Sequence, residues 1–151
     1  MSSWSGVSLG TGLILLACLI GCGKPPMQEV RGSVKLDNKA VENCKVGFFP
    51  DTEQFDSNKH GFGFGITNSK GEFEIQHPQG DKGIWAGKYK VTFVAWIDKA
   101  GKSLSVDTKP SEVAGGVRNR FPDIYEAPST TKESVVVKSG ANVFDFNILS
   151  K

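Results

Sequence analysis

The chain has 151 residues, 18 Lys plus Arg against 16 Asp plus Glu, a formal net charge of +2, and three Cys. All the charged side chains lie beyond residue 21, with both signs interspersed, so nothing marks a nucleic-acid partner. The part after residue 21 fits one domain with one core. Its Gly, Phe, Val and Thr content, with turn residues at short intervals and no sustained helical period, predicts an all-β class.

At the N-terminus, Leu13-Ile14-Leu15-Leu16-Ala17-Cys18-Leu19-Ile20 is an uncharged apolar run. Even extended back to Val7 it is shorter than the roughly 20 residues that span a bilayer. Residues 1–21 therefore read as a signal peptide. The run ends in Leu19-Ile20-Gly21-Cys22, which resembles the bacterial lipobox. That resemblance implies an exported lipoprotein, anchored to a bacterial membrane by lipid on Cys22, on the periplasmic or cell-surface side. The residue types suit the chemistry: the Cys22 thiol is the nucleophile that takes the diacylglyceryl group, and small Gly21 gives the peptidase access to the backbone. Leu15-Leu16-Ala17-Cys18 matches the same pattern four residues earlier, and residues 1–5 contain no Lys or Arg. Cys22 is preferred, because processing at Cys18 leaves a very short apolar core and strands Leu19 and Ile20 in the mature tail. With Cys18 removed and Cys22 acylated, Cys44 is alone, no intrachain disulfide is expected, and Cys44 reads as a small half-buried strand residue. Residues 22–27, with Pro25 and Pro26, read as a short extended tether.

The domain is expected over residues 28–151. Val30, Gly32, Val34 and Leu36 alternate with Glu29, Arg31, Ser33 and Lys35, the period of a strand with one buried face. Asp37-Asn38-Lys39-Ala40 reads as a turn. A second strand over 44–49 sets Val46 and Phe48 on one face and Lys45, Gly47 and Phe49 on the other, and a polar loop covers 51–60. In the third, Phe62, Phe64 and Ile66 alternate with Gly61, Gly63 and Gly65, apolar side chains on one face and bare backbone on the other. The turn Thr67-Asn68-Ser69-Lys70-Gly71 leads to a strand with Phe73 and Ile75 inward. The fifth strand, from Gly87, buries Tyr89, Val91, Phe93, Ala95 and Ile97 and turns Lys88, Lys90, Thr92, Val94 and Trp96 outward. Residues 98–128, punctuated by Pro110, Pro122 and Pro128, show no regular pattern, and connections this long are usually functional or ordered by packing. Two last strands over 134–138 and 143–149 put Phe144, Phe146 and Ile148 inward. Seven short strands in succession predict a single antiparallel β-sandwich of Greek-key type.

Val30-Arg31-Gly32-Ser33-Val34, Thr67-Asn68-Ser69-Lys70-Gly71-Glu72-Phe73 and Gly87-Lys88-Tyr89-Lys90-Val91 together resemble the transthyretin-like, or carboxypeptidase regulatory-like, domain. The closest likeness is to small lipid-anchored versions from bacteria with elaborate envelopes. Phe121-Pro122-Asp123-Ile124-Tyr125-Glu126-Ala127-Pro128-Ser129 follows the Pro, acidic, Tyr, Pro-Ser order of their late segment. The resemblance spans nearly all of residues 28–149 and implies a fold, not a reaction.

Enzymes sharing such a sandwich need groups that this sequence arranges differently. Hydroxyisourate hydrolases end in Tyr-Arg-Gly-Ser, whereas this chain ends Asn147-Ile148-Leu149-Ser150-Lys151. Intradiol dioxygenases hold iron with two Tyr followed by two closely spaced His, whereas here His60 and His77 both precede Tyr89 and Tyr125. A self-crosslinking adhesin would join Lys35 on the first strand to Asn147 on the last, beside a buried carboxyl, but both fall on outward parity. The expectation is a protein that is not an enzyme, with no catalytic residue, cofactor or metal site. Its partner is an envelope protein or, alternatively, a glycan, met by the outward Phe49, Val94 and Trp96 with a flat lane left by the third-strand glycines.

Overall fold

A computed structural model describes Met1 and residues 23–151, so the expected signal peptide, Cys18 and Cys22 lie outside the described residues. The described chain is all-β. Its strands are β1 (Val30–Leu36), β2 (Lys39–Ala40), β3 (Lys45–Pro50), β4 (Gly63–Ile66), β5 (Glu72–Glu74), β6 (Gly87–Val94), β7 (Trp96–Ile97), β8 (Arg118–Asn119), β9 (Ser134–Val137) and β10 (Asn142–Ile148). Two single 3-10 turns interrupt the long connection, at Pro110–Glu112 and Asp123–Tyr125.

One sheet runs β10-β1, with both β2 and β5 on the far side of β1, and the other runs β4-β3-β6-β9. Neither closes on itself. The expected fifth strand, from Gly87 to Ile97, is divided: β6 stays in the sheet with β3 and β9, while β7 pairs with β8 in a separate two-stranded sheet, and β2 lies in the segment read as a turn. The expectation of a purely antiparallel arrangement needs one correction: β1 and β10 pair in parallel, from Val30 opposite Asn142 to Leu36 opposite Ile148. The cause is the connection before β10. Residues 138–142 carry the chain from β9 in one sheet to β10 in the other, so no hairpin forms there. Asn142 holds that corner: its side-chain carbonyl accepts from the Lys138 N–H at 2.9 Å and its amide donates to the Lys138 and Gly140 carbonyls.

Local chemistry explains the turns. Asp37 and Asn38 both adopt positive φ, 48° and 66°, the two-residue loop that matches the twist of a hairpin, and Asp and Asn tolerate that region better than other non-glycine residues. Gly71, at φ 78°, closes the turn into β5 while Asn68 accepts from the Lys70 and Glu72 N–H groups.

The core lies between the two sheets and follows the expected parity: Val30, Val34 and Leu36 from β1, Val46 and Phe48 from β3, Tyr89, Val91 and Phe93 from β6, and Phe146 and Ile148 from β10 are all buried. Phe93 is a hub, with ring centroids 5.1 Å from Phe146, 5.5 Å from Phe121 and 6.2 Å from Tyr125. Phe121 and Tyr125 come from the long connection, which thus contributes to the core. Each such fully buried large apolar side chain stabilises the fold by roughly 1.5–3 kcal/mol.

Candidate functional site

The outer side of the β4-β3-β6-β9 sheet carries the feature with binding chemistry. Lys45 pairs with Ile66, Gly47 with Phe64 and Phe48 with Gly63, which sets Phe49 beside Phe62. The Phe49 and Phe62 rings stack, centroids 6.3 Å apart and planes 14° from parallel, and Phe62 lies 5.6 Å from Phe64. Lys45 places its ammonium 4.5 Å from the centre of the Phe64 ring, a cation–π contact. Gly47 is what lets Phe49 lie flat: a Cβ there would sit 2.7 Å from both Phe49 Cε2 and Thr92 Oγ1. Phe62 is 42% and the neighbouring Ile66 52% exposed, while Phe49 and Phe64 are half-buried.

The sequence reading assigns this face to Phe49, Val94 and Trp96 and omits Phe62 and Phe64. All three assigned residues are half-buried, but only Phe49 joins the aromatic row. Val94 pairs with Lys45 further along the sheet, and Trp96 sits in β7, where the long connection returns to it. Asn119 of β8 is the clamp: its side-chain carbonyl accepts from the Ala95 N–H at 3.0 Å and its amide donates to the Phe93 carbonyl at 3.0 Å. Leu104 donates its N–H to the Trp96 carbonyl. The long connection is therefore fastened at the Trp96 end of the face, and its Val106 and Asp107 reach the side of Phe64 and Ile66.

The expected glycine lane is also corrected. Gly61, Gly63 and Gly65 are buried and face inward. A Cβ on Gly63 would lie 2.5 Å from Ile84 Cγ2 and 2.7 Å from Ile75 Cγ2, and one on Gly65 would lie 2.6 Å from the Glu74 carbonyl oxygen. The backbone of Phe64 exchanges two hydrogen bonds with Gln76, so the segment that follows β5 passes close along this side and only glycine fits. Phe62, Phe64 and Ile66 are turned outward as a result. The alternating glycines carried that signal; the side on which the backbone approaches was what the sequence left open.

Beside the aromatic row runs a groove of about 590 Å³, lined by Phe64, Ile66, Gln76, His77 and, from the long connection, Val106 and Asp107. It sets a ring and an aliphatic side chain next to an amide, an imidazole and a carboxylate. A larger depression of about 770 Å³ crosses the outer side of the other sheet around Arg31, Ser33, Glu72, Glu74 and Asp145. There Ser33 donates to Asp145 at 2.7 Å and Asn68 to Glu72 at 3.0 Å, so its polar groups largely satisfy one another.

The residues weighed for chemistry are dispersed. His60 accepts the Asp56 N–H at 2.9 Å, and His77 packs on Trp85 with ring centroids 5.6 Å apart. Tyr89 is buried with its hydroxyl donating to the Trp85 carbonyl at 2.8 Å, and burial pushes its pKa up to about 12. Tyr125 lies at the other end of the core, against Phe93. Among the described residues no three His, Cys, Asp or Glu side chains converge on a common point. Lys35 and Asn147 are register partners, but both are exposed and the Asn147 amide donates to Asn38 at 2.7 Å. Cys44 is fully buried rather than half-buried, just ahead of β3, and desolvation pushes its thiol up to about 12.

The segment expected to be a tether is hydrogen-bonded to the domain. The Trp85 indole N–H donates to the Pro25 carbonyl at 2.8 Å, and Gln28 donates to the Pro26 carbonyl at 2.7 Å while accepting from the Gly140 N–H. Residues 25–28 are thereby fastened to the domain. Trp85 itself is only 5% exposed. No sequence pattern announces this contact, since it joins positions 60 residues apart.

Comparison with protein-family models, curated proteins and solved structures gives no match. Among the described residues no helix is long and apolar enough to cross a membrane.

Proposed function

We propose that this chain is an exported bacterial lipoprotein, anchored through Cys22, whose domain is a non-catalytic binding module of the cell envelope. The two facing sheets make a β-sandwich, and the likeness of the Val30, Thr67 and Gly87 motifs to the transthyretin-like domain supports that class. The observation that carries the binding role is the aromatic row on the outer sheet face, in which exposed Phe62 lies against half-buried Phe49 and Phe64. Aromatic side chains left in water on a flat sheet are costly for solubility and suited to a partner that covers them. A catalytic role lacks a comparable constellation, because the two His and the two Tyr do not meet around one cleft.

A second reading makes the partner a glycan. It is favoured by the groove in which Phe64 adjoins Gln76, His77 and Asp107, a ring for the apolar face of a sugar beside groups that bond its hydroxyls. Both readings are tested by a Phe62→Ser, Phe64→Ser double variant. Its thermal stability should stay close to wild type, since both rings lie outside the core. Retention on purified peptidoglycan or on envelope protein should fall at least about tenfold, the effect of losing 1.4 kcal/mol. Loss on peptidoglycan alone selects the glycan; undiminished retention on both refutes the assignment of this face.

A further inference from the structure

The fastening of residues 25–28 fixes how the domain stands on its membrane, an inference that rests on the lipid anchor at Cys22. Pro25 is tied to Trp85, and only Gly23 and Lys24 lie between it and Cys22, a span of three residue steps. Three extended residues reach at most about 11 Å. The acylated cysteine therefore cannot lie further than that from the end of the domain bearing Trp85.

That end has a definite make-up. Around the exit of the tether, Pro25, Pro26, Lys59, His60, Trp85 and Ser139 enclose a hollow of about 360 Å³. The adjoining loop over residues 51–60 is polar except for Phe55, which is 61% exposed and rests on the His60 ring with centroids 5.9 Å apart. The loop has no cationic surplus: it holds Asp51, Glu53 and Asp56 against Lys59, which lies 3.7 Å from Asp56, while Lys88 of β6 lies 3.2 Å from Asp51. Lys24 adds a cation on the tether itself. An exposed phenylalanine on a loop without cationic surplus, held close to an acylated residue, has the composition of a group that enters the headgroup layer by its apolar ring rather than one drawn down by charge.

The geometry points to this end, with Phe55 at its tip, as the membrane-contacting surface of the protein, the partner being the lipid headgroup and upper acyl region. The opposite end is marked by the turn at Asp37 and by Ile148, which share a hydrogen bond at 2.9 Å. β1 and β10 run between the two ends, so Leu149 stands clear of the bilayer by the length of a seven-residue strand. β4 begins next to the membrane-facing loop, so the aromatic row rises from the surface and faces sideways into the envelope.

The full-length protein, expressed so that it is processed and acylated, is reconstituted into phosphatidylethanolamine and phosphatidylglycerol vesicles whose acyl chains are brominated. A thiol-reactive fluorophore is placed on Phe55→Cys or on Leu149→Cys; both positions are exposed, and buried Cys44 does not compete for the label. Mass spectrometry of the same samples reads the lipid on Cys22. Quenching should be several-fold stronger at position 55 than at 149. Equal or reversed quenching in acylated protein overturns the orientation while leaving the anchor intact. Absence of lipid on Cys22 overturns both.

Discussion

Cys44 and Tyr89 show how single buried groups tie this fold to pH. Both side chains are neutral when protonated, and burial raises the folded pKa of each to about 12, from 9.0 for the thiol and 10.0 for the phenol. The folded state therefore binds these protons more tightly than the unfolded chain. Their contribution is fully present below about pH 9 and is lost as pH rises through 12. Urea midpoints should stay level up to about pH 9 and fall above it, by a few kcal/mol of stability in total. Cys44→Ala should lessen the fall. A midpoint that stays flat to pH 11 would show that these groups are not buried as described. The same burial makes native Cys44 inert to alkylation at pH 8, with reaction only on unfolding.

The element that best separates legible from illegible sequence is β4. Its alternation is plain in Phe62, Gly63, Phe64, Gly65 and Ile66, and so is its existence as a strand. Which side faces the core is decided by the closeness of Gln76 and Glu74, a tertiary fact that hydrophobicity misreads, since the rule of apolar side chains inward predicts the opposite. Gly63→Ala tests the packing directly. Its new methyl would meet Ile84 and Ile75 at 2.5 and 2.7 Å, and it should cost about 1–3 kcal/mol in chemical denaturation. A neutral substitution would mean that the glycines do not face inward. In β1, β3 and β6 parity assigns the core face, because each buries one side against a conventional core, although Thr92 on the outer side of β6 is also buried and that strand ends at Val94 short of the expected Ile97. The parallel pairing of β1 with β10 was not readable, since strand order depends on the crossing of the chain at Asn142 rather than on any local pattern. The long connection over 98–128 was readable only as a connection; its fold depends on single side chains, Asn119 at the edge of β6 and Phe121 in the core, whose roles no periodicity signals.

At the scale of the molecule, the candidate face and the tether belong to one arrangement. The aromatic row begins at the end of the domain where residues 25–28 are fastened, and the long connection is fastened at the other extremity of the face, around Trp96. A partner meeting Phe49, Phe62 and Phe64 would do so within the reach of a membrane-held domain. In this account the acyl chains supply the membrane affinity, at about 0.8 kcal/mol per buried methylene, and the domain supplies the specificity. Everything in it depends on where the mature chain begins and what its first residue carries. The decisive measurement is metabolic labelling with a clickable fatty acid, followed by mass spectrometry of the N-terminal peptide, on wild type and Cys22→Ala. The account predicts a mature chain starting at an acylated Cys22 and loss of label in the variant. An unlabelled wild type, or label that survives Cys22→Ala, would contradict it.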